Sequence, residues 1–198
     1  MKILKKQIVC FILSIALIIS GICSTGTQVQ YTQAATKKTV ALKKYKSALK
    51  KKRISVSGGD NYKLSKDTEF GIEDLNHDGV PELIINYEYI YTYYNGKITE
   101  VLYSSEGIAA YKKGSVFMSE SMHAGNGYFT FYSIVKGHGK EIASESLLES
   151  GEHYCYIGNK EVSKKKYNKY IEKLTKKSET VEISMHSLTN TNINKYVR

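Results

Sequence analysis

Residues 74–83 read DLNHDGVPEL, and this stretch decides how the chain around it folds. Oxygen-bearing side chains stand at alternate positions, Asp74, Asn76 and Asp78, so all three can point at one centre. Gly79 then lets the backbone turn sharply around that centre. Apolar, strand-like segments precede and follow the stretch. The pattern predicts a loop that binds one hard cation, preferably calcium, and that joins two strands.

The spacing of the loop also defines its candidate ligands. If Asp74 is position 1, position 7 supplies a backbone carbonyl and position 9 a carboxylate. Position 12 of the loop, residues 74–85, is Ile85, where an EF-hand has its bidentate glutamate, so the loop is not an EF-hand. The candidate metal ligands are Asp74, Asn76, Asp78, Val80 and Glu82.

This string resembles the D-x-[DN]-x-D-G-x-x-[DE]-L loop of dockerin-like and FG-GAP-type extracellular modules. The resemblance covers about ten residues, and it implies one structural calcium ion without identifying the fold around it. Magnesium fits less well, because it demands stricter geometry and keeps its waters. The alternative is a turn rich in Asp and Asn that binds no metal, since these residues favour turns for local reasons.

The N-terminus, residues 1–35, predicts a signal peptide. Lys2, Lys5 and Lys6 precede an apolar run over residues 8–22, and small residues follow it. The run is about 15 residues long, against roughly 20 needed to span a bilayer, so cleavage is favoured over a membrane anchor. We therefore expect a secreted protein, or one retained at the cell wall, with a single domain over residues 36–198 and no stable transmembrane segment.

Charge and cysteine content agree with export. The chain carries 29 Lys and Arg against 19 Asp and Glu, a net charge of +10, and loss of the three leader lysines leaves +7. A basic exported protein tends to adhere to anionic surfaces, so an anionic cell-surface polymer, or an extracellular protein or glycan, is a candidate partner, and nucleic acid is not expected. The alternative is that the positive charge serves only solubility. Only Cys155 remains outside the leader, so an internal disulfide is excluded and a stabilising metal fits.

Turn signals and periodicity predict an α+β fold. Turns such as Asn95-Gly96, Lys113-Gly114 and Gly158-Asn159 indicate an antiparallel meander of about six to eight strands. Helical periodicity predicts one helix before the meander, within residues 36–53, and one after it that begins at Ser163. A further short helix is expected near the C-terminus, capped by Ser187 or Thr189.

No catalytic residue is indicated by the sequence. The five histidines form no zinc motif, although His123 lies near a glycine-rich turn and could border a cleft. His153 and Cys155 would share one face of a strand, but the expected role of Cys155 is core packing. The alternating tyrosines of residues 87–93 would also share one face, with burial favoured over a role in binding.

Over most of its length the chain resembles small secreted proteins of clostridia-like Gram-positive bacteria, through residues 70–83, 91–97 and 154–167. The resemblance implies secretion and metal binding but no reaction. The leading hypothesis is a non-catalytic, calcium-stabilised binding module, which a flat tyrosine and lysine face without a deep pocket would favour. The alternatives are a small hydrolase of cell-wall glycan or peptide, which a cleft with two carboxylates would favour, and an inhibitor or partner subunit.

Overall fold

The computed structural model describes residues 36–56, 61–104 and 107–198. The signal-peptide prediction falls on residues 1–35, which lie outside the described residues. Residues 38–198 group into one compact unit. The first element of the described chain is helix α1, residues 36–50. The residues spaced for one helical face are all buried, as the periodicity predicts: Ala41, Leu42, Tyr45, Ala48 and Leu49.

Fourteen strands and two more helices follow in the described part of the chain. Their bounds are β1 (Arg53–Ile54), β2 (Tyr62–Lys63), β3 (Glu69–Glu73), β4 (Glu82–Ile85), β5 (Tyr89–Tyr94), β6 (Lys97–Tyr103), β7 (Ile108–Tyr111), β8 (Phe117–His123), β9 (Asn126–Val135), β10 (His138–Leu147), β11 (His153–Ile157), β12 (Lys160–Glu161), α2 (Lys164–Leu174), β13 (Thr180–Val181), β14 (His186–Ser187) and α3 (Asn190–Tyr196).

The strands form three antiparallel sheets. β1 and β2 make a two-stranded sheet, and the order β14-β3-β4-β5-β6 makes a five-stranded one. The third sheet has seven strands in the order β12-β11-β10-β9-β8-β7-β13. Strands β3 to β6 are neighbours in chain order, as are β7 to β12, so each large sheet is built around its own meander.

The predicted class is confirmed, with one N-terminal helix and two C-terminal helices, but the predicted strand number is wrong. Fourteen strands replace the expected six to eight. One reason is that Asn86 and Tyr87 have φ angles of 55° and 58°, so a turn within the segment after the loop separates β4 from β5. The other reason is that five strands have only two residues, too few to show alternation in sequence.

The two large sheets lie face to face between helices. Helices α1 and α3 cover one face of the five-stranded sheet, where Tyr45 and Ile193 join Leu83 and Ile85 in one buried cluster. On the opposite face of this sheet, Ile84 and Ile90 form a second cluster with Ala110 and Phe117 of the seven-stranded sheet.

Helix α2 covers part of the outer face of the seven-stranded sheet. Ser163 caps it, since its side chain accepts a hydrogen bond from the N–H of Lys166 at 3.4 Å, as predicted. Tyr167 is its buried residue and packs with Phe131, Ala143 and Cys155 in a third cluster. Cys155 is therefore a core residue, as expected.

Candidate metal centre

Residues 74–81 connect two paired strands, as the sequence predicts. β3 and β4 pair antiparallel, with Glu73 opposite Glu82, so the loop closes a hairpin between them. Gly79 has a φ of 86°, a left-handed conformation that costs a residue with a Cβ about 1–2 kcal/mol. His77 also has a positive φ, and its Nε2 atom lies 3.0 Å from the carbonyl oxygen of Tyr111, which ties the loop to β7.

The side chains of the predicted ligands gather around the N–H groups of their own loop. Asp74 accepts hydrogen bonds from the N–H groups of Asp78 at 3.1 Å and Gly79 at 2.9 Å, one on each carboxylate oxygen. Asn76 accepts a further bond from the N–H of Asp78, and Asp78 accepts one from the N–H of Val80 at 2.8 Å. Positions 1, 3 and 5 therefore share one small volume.

Glu82 lies close to the Asp74 and Asp78 side chains and is fully buried. Its two carboxylate oxygens accept hydrogen bonds from the Leu75 N–H and the Thr92 hydroxyl, each at 2.9 Å. Burial raises the pKa of Glu82 to about 8, and the negative charges of Asp78 and Asp74 push it further in the same direction. Three acidic groups thus converge on one place in the fold.

The charge of this group is not balanced by protein cations. Among residues 36–56, 61–104 and 107–198, none of the ion pairs includes Asp74, Asp78 or Glu82. Each carboxylate oxygen that accepts one hydrogen bond still has a second lone pair. The donor set consists of hard oxygens with surplus negative charge, which fits calcium, and Val80 would add its carbonyl.

Helix α1 contributes a buried tyrosine near the same carboxylate. Tyr45 has no exposed surface, and its hydroxyl has no hydrogen-bond partner among the described residues. Burial, and next the charge of Glu82, raise the pKa of Tyr45 above its ordinary value. The hydroxyl is therefore a buried polar atom close to Glu82, Thr92 and the backbone of Tyr93.

His123 and the alternating tyrosines, which the sequence also singles out, are not among the ligands of this centre. His123 ends β8 and is exposed, opposite Asn126 in a hairpin. The tyrosines of β5 pack against the core cluster under α1, and Tyr91 is fully buried, so the expected burial is confirmed there. Tyr87 is different, because it lies in the turn before β5 and donates its hydroxyl to the carbonyl of Ile183 at 2.8 Å.

A second group of metal-ligating atoms was not predicted. One oxygen of Glu145, Nε2 of His153 and Sγ of Cys155 all lie within 4.8 Å of one another. The alternation of His153 and Cys155 places them on one face of β11, which the sequence indicates. Glu145 joins them only because the register of β10 and β11 sets it opposite Cys155, and sequence gives no such register.

Two of the cavities on the surface of the described residues are similar in size. A cavity of about 570 Å³ is lined by Lys44, Lys51, Arg53 and Lys97, and the described residues that line it include no acidic one. A cavity of about 520 Å³ lies beside α2 and is lined by Glu145 and Glu172 among apolar residues such as Phe129 and Phe131.

Comparison with known proteins gives no relative for this chain: no protein family, curated protein or solved structure matches it. Within the described residues, no helix combines the length and apolar character needed to cross a membrane.

Proposed function

We propose that the protein is a secreted or cell-surface binding module, without catalytic activity, that one calcium ion stabilises in the 74–85 loop. The loop supports the calcium part, because its oxygens converge and their charge is not balanced by a cation in the described residues. A calcium concentration 100 times the Kd would stabilise the folded chain by about 2.7 kcal/mol.

The test of the calcium site is thermal unfolding of the full chain in EDTA and in millimolar calcium. For a chain of this size, about 2.7 kcal/mol corresponds to a rise of roughly 5–11 °C in Tm. Asp74→Ala and Asp78→Ala should each abolish the rise. Asp67→Ala removes an exposed acidic residue outside the loop and should keep it. An equal Tm in EDTA and calcium for the unmodified chain would show that the loop is only a turn.

The basic cavity is the observation that supports a binding role. Lys44 comes from α1, Lys51 directly follows α1, Arg53 lies in β1 and Lys97 begins β6, so separate elements bring positive charge to one concave surface. Such a surface concentrates anionic ligands and favours their association at low ionic strength. We propose an anionic polymer of the cell surface as the ligand.

The test of this ligand is binding to a purified anionic wall polymer at increasing salt. Lys51→Gln combined with Arg53→Gln should weaken binding and reduce its salt dependence, because two cavity charges are removed. Lys165→Gln combined with Lys166→Gln removes two exposed charges from α2 and is the matched control. Equal loss in the two double variants would mean that net charge, and not the cavity, attracts the polymer.

A small hydrolase is the second candidate, because the cavity beside α2 holds two carboxylates, Glu145 and Glu172. Each of them is paired with a lysine, Glu145 with Lys164 and Glu172 with Lys177 at 3.2 Å. Release of soluble fragments from cell walls by the unmodified chain, lost in Glu145→Gln, would favour this candidate over the binding module.

A further inference from the structure

We propose that Glu145, His153 and Cys155 form a binding site for a divalent transition-metal ion of the zinc type. The site is separate from the calcium loop in sequence and in donor chemistry, and it does not depend on the proposed binding function. An oxygen, a nitrogen and a sulfur donor are the three ligand classes that zinc accepts, and three protein ligands leave its fourth position open.

The positions of the three ligands follow from the strands. Glu145 pairs directly with Cys155 across β10 and β11, while on the other side it pairs with Phe129 of β9. His153 precedes Cys155 by two residues and therefore lies on the same face of the sheet. All three ligands thus belong to a regular antiparallel sheet, which is a rigid support for a metal site.

The distances are close to those of a bound ion. Zinc–ligand bond lengths place neighbouring ligand atoms of a tetrahedral site roughly 3.3–3.6 Å apart. The three ligand atoms here lie within 4.8 Å of one another, and His153 Nε2 is in direct contact with the Glu145 oxygen, so side-chain movements of about an ångström that separate this pair would make room for an ion among the three. The backbone of the paired strands need not move.

A lysine occupies the place of the cation in this structure. Lys164, at the start of α2, contacts the same Glu145 oxygen as His153, and its Nζ atom lies 3.3 Å from His153 Nε2. The side chain of Lys164 is 43% exposed, so it can move into solvent when a metal ion displaces it. Lys164 should therefore compete with the metal.

A buried tyrosine hydroxyl and a cavity lie beside the cluster. Tyr167 lies next to it on α2, and its buried hydroxyl has no hydrogen-bond partner in the described part of the chain. Both Glu145 and Tyr167 line the cavity of about 520 Å³. An ion bound at the three ligands would thus have its open position beside a cavity that can admit water or a small ligand.

The test uses the full chain with Cys10→Ser and Cys23→Ser, so that Cys155 is its single thiol, in calcium to saturate the loop. Addition of Co²⁺ should produce a near-ultraviolet thiolate-to-cobalt charge-transfer band, and Zn²⁺ should displace it. His153→Ala should weaken Zn²⁺ binding at least as much as the roughly 10–100-fold loss typical for outer-shell partners of a metal. His123→Ala removes an exposed histidine from the same sheet and is the control.

Lys164→Met gives a result of opposite sign. Removal of the competing ammonium should tighten Zn²⁺ binding several-fold, whereas a purely structural ion pair predicts no change in metal affinity. The proposal is overturned if the charge-transfer band is missing, or if His153→Ala and His123→Ala bind Zn²⁺ equally. Because His153 is exposed, its variant should fold even if replacement of the buried Cys155 is not tolerated.

Discussion

The 74–85 loop and the Glu145–His153–Cys155 cluster assemble cation ligands in two different ways. The loop takes its oxygens from neighbouring residues, and its own N–H groups hold the Asp74 and Asp78 side chains in place. The cluster takes its three donors from two strands, and strand register holds them together. The first arrangement is local and survives small shifts of the sheet, while a one-residue slip would dissolve the second.

The two regions also differ in how they treat a carboxylate. Glu82 is fully buried and surrounded by other acidic groups, whereas Glu145 is close to a lysine and a histidine. An uncompensated buried charge is costly, and a charge with a nearby partner at the surface contributes little in either direction. We therefore expect the loop, and not the cluster, to dominate the response of stability to pH and to metal.

The largest expected effect is a dependence of the metal-free chain on pH. Because the folded pKa of Glu82 is raised to about 8, folding favours its protonated form, and stability is lost as pH rises from about 5 to about 8. The slope is at most about 1.4 kcal/mol per pH unit for one proton. The measurement is denaturant unfolding in EDTA across this range.

Glu82→Gln is the control for this pH effect. The amide keeps the shape of the side chain but has no proton to release, so the unfolding free energy of the variant should stay nearly flat between pH 5 and 8. Calcium should flatten the profile of the unmodified chain, since it stabilises the ionised carboxylate. A steep profile in Glu82→Gln would assign the effect to other groups.

The next prediction separates the effect of Gly79 on calcium binding from its effect on the unfolding free energy. Gly79 and Gly151 have nearly the same φ, 86° and 84°, and only Gly79 lies in the calcium loop. In EDTA, Gly79→Ala and Gly151→Ala should each lower the unfolding free energy by about 1–2 kcal/mol. Only Gly79→Ala should also weaken calcium binding, as measured by calorimetry. Equal calcium affinities in both variants would contradict a site at the loop.

A smaller effect is expected from the ion pairs of the cluster. Glu145→Gln removes the shared partner of His153 and Lys164, but the side chains of these two residues are 32% and 43% exposed. Solvent screening should limit the change in unfolding free energy to about 1 kcal/mol or less without metal. A loss of several kcal/mol in chemical denaturation would show that the cluster supports the fold, and would weaken the case that it is kept for a metal.

The sequence predicts local features well and long-range ones poorly. The loop, the Asn95-Gly96 turn and the Ser163 cap each depend on residues a few positions apart, so the local sequence pattern is enough to predict them. The stacking of two sheets depends on contacts such as that at Gly139, where an added Cβ would lie 2.5 Å from the Val101 carbonyl oxygen. No spacing rule indicates that β10 must approach β6 so closely.

The same limit explains the candidate sites. Asp74, Asn76 and Asp78 can be predicted as a group because they lie close together in the sequence, whereas only strand register brings Glu145 beside Cys155. The His153-x-Cys155 alternation was visible, but a pair of donors does not define a site. The burial of Glu82 was also hidden, because a glutamate after a proline at a strand entrance reads as a surface residue.

The smallest effect compares two of the three buried tyrosine hydroxyls that lack a hydrogen-bond partner in the described residues, Tyr45 beside Glu82 and Tyr167 beside Glu145. A buried hydroxyl without a hydrogen bond has lost its bonds to water and gains no bond in return. Tyr45→Phe and Tyr167→Phe should therefore leave the unfolding free energy unchanged or raise it by up to about 1 kcal/mol.

The two variants should differ in metal binding. Tyr167 borders the proposed zinc site and its open cavity, so loss of its hydroxyl should weaken Zn²⁺ by about tenfold. Glu82 already accepts hydrogen bonds from Leu75 and Thr92, so Tyr45→Phe should leave calcium affinity unchanged. If instead Tyr167→Phe leaves Zn²⁺ affinity unchanged, its hydroxyl does not assist the proposed site, and Tyr167 serves only to pack α2 on the sheet.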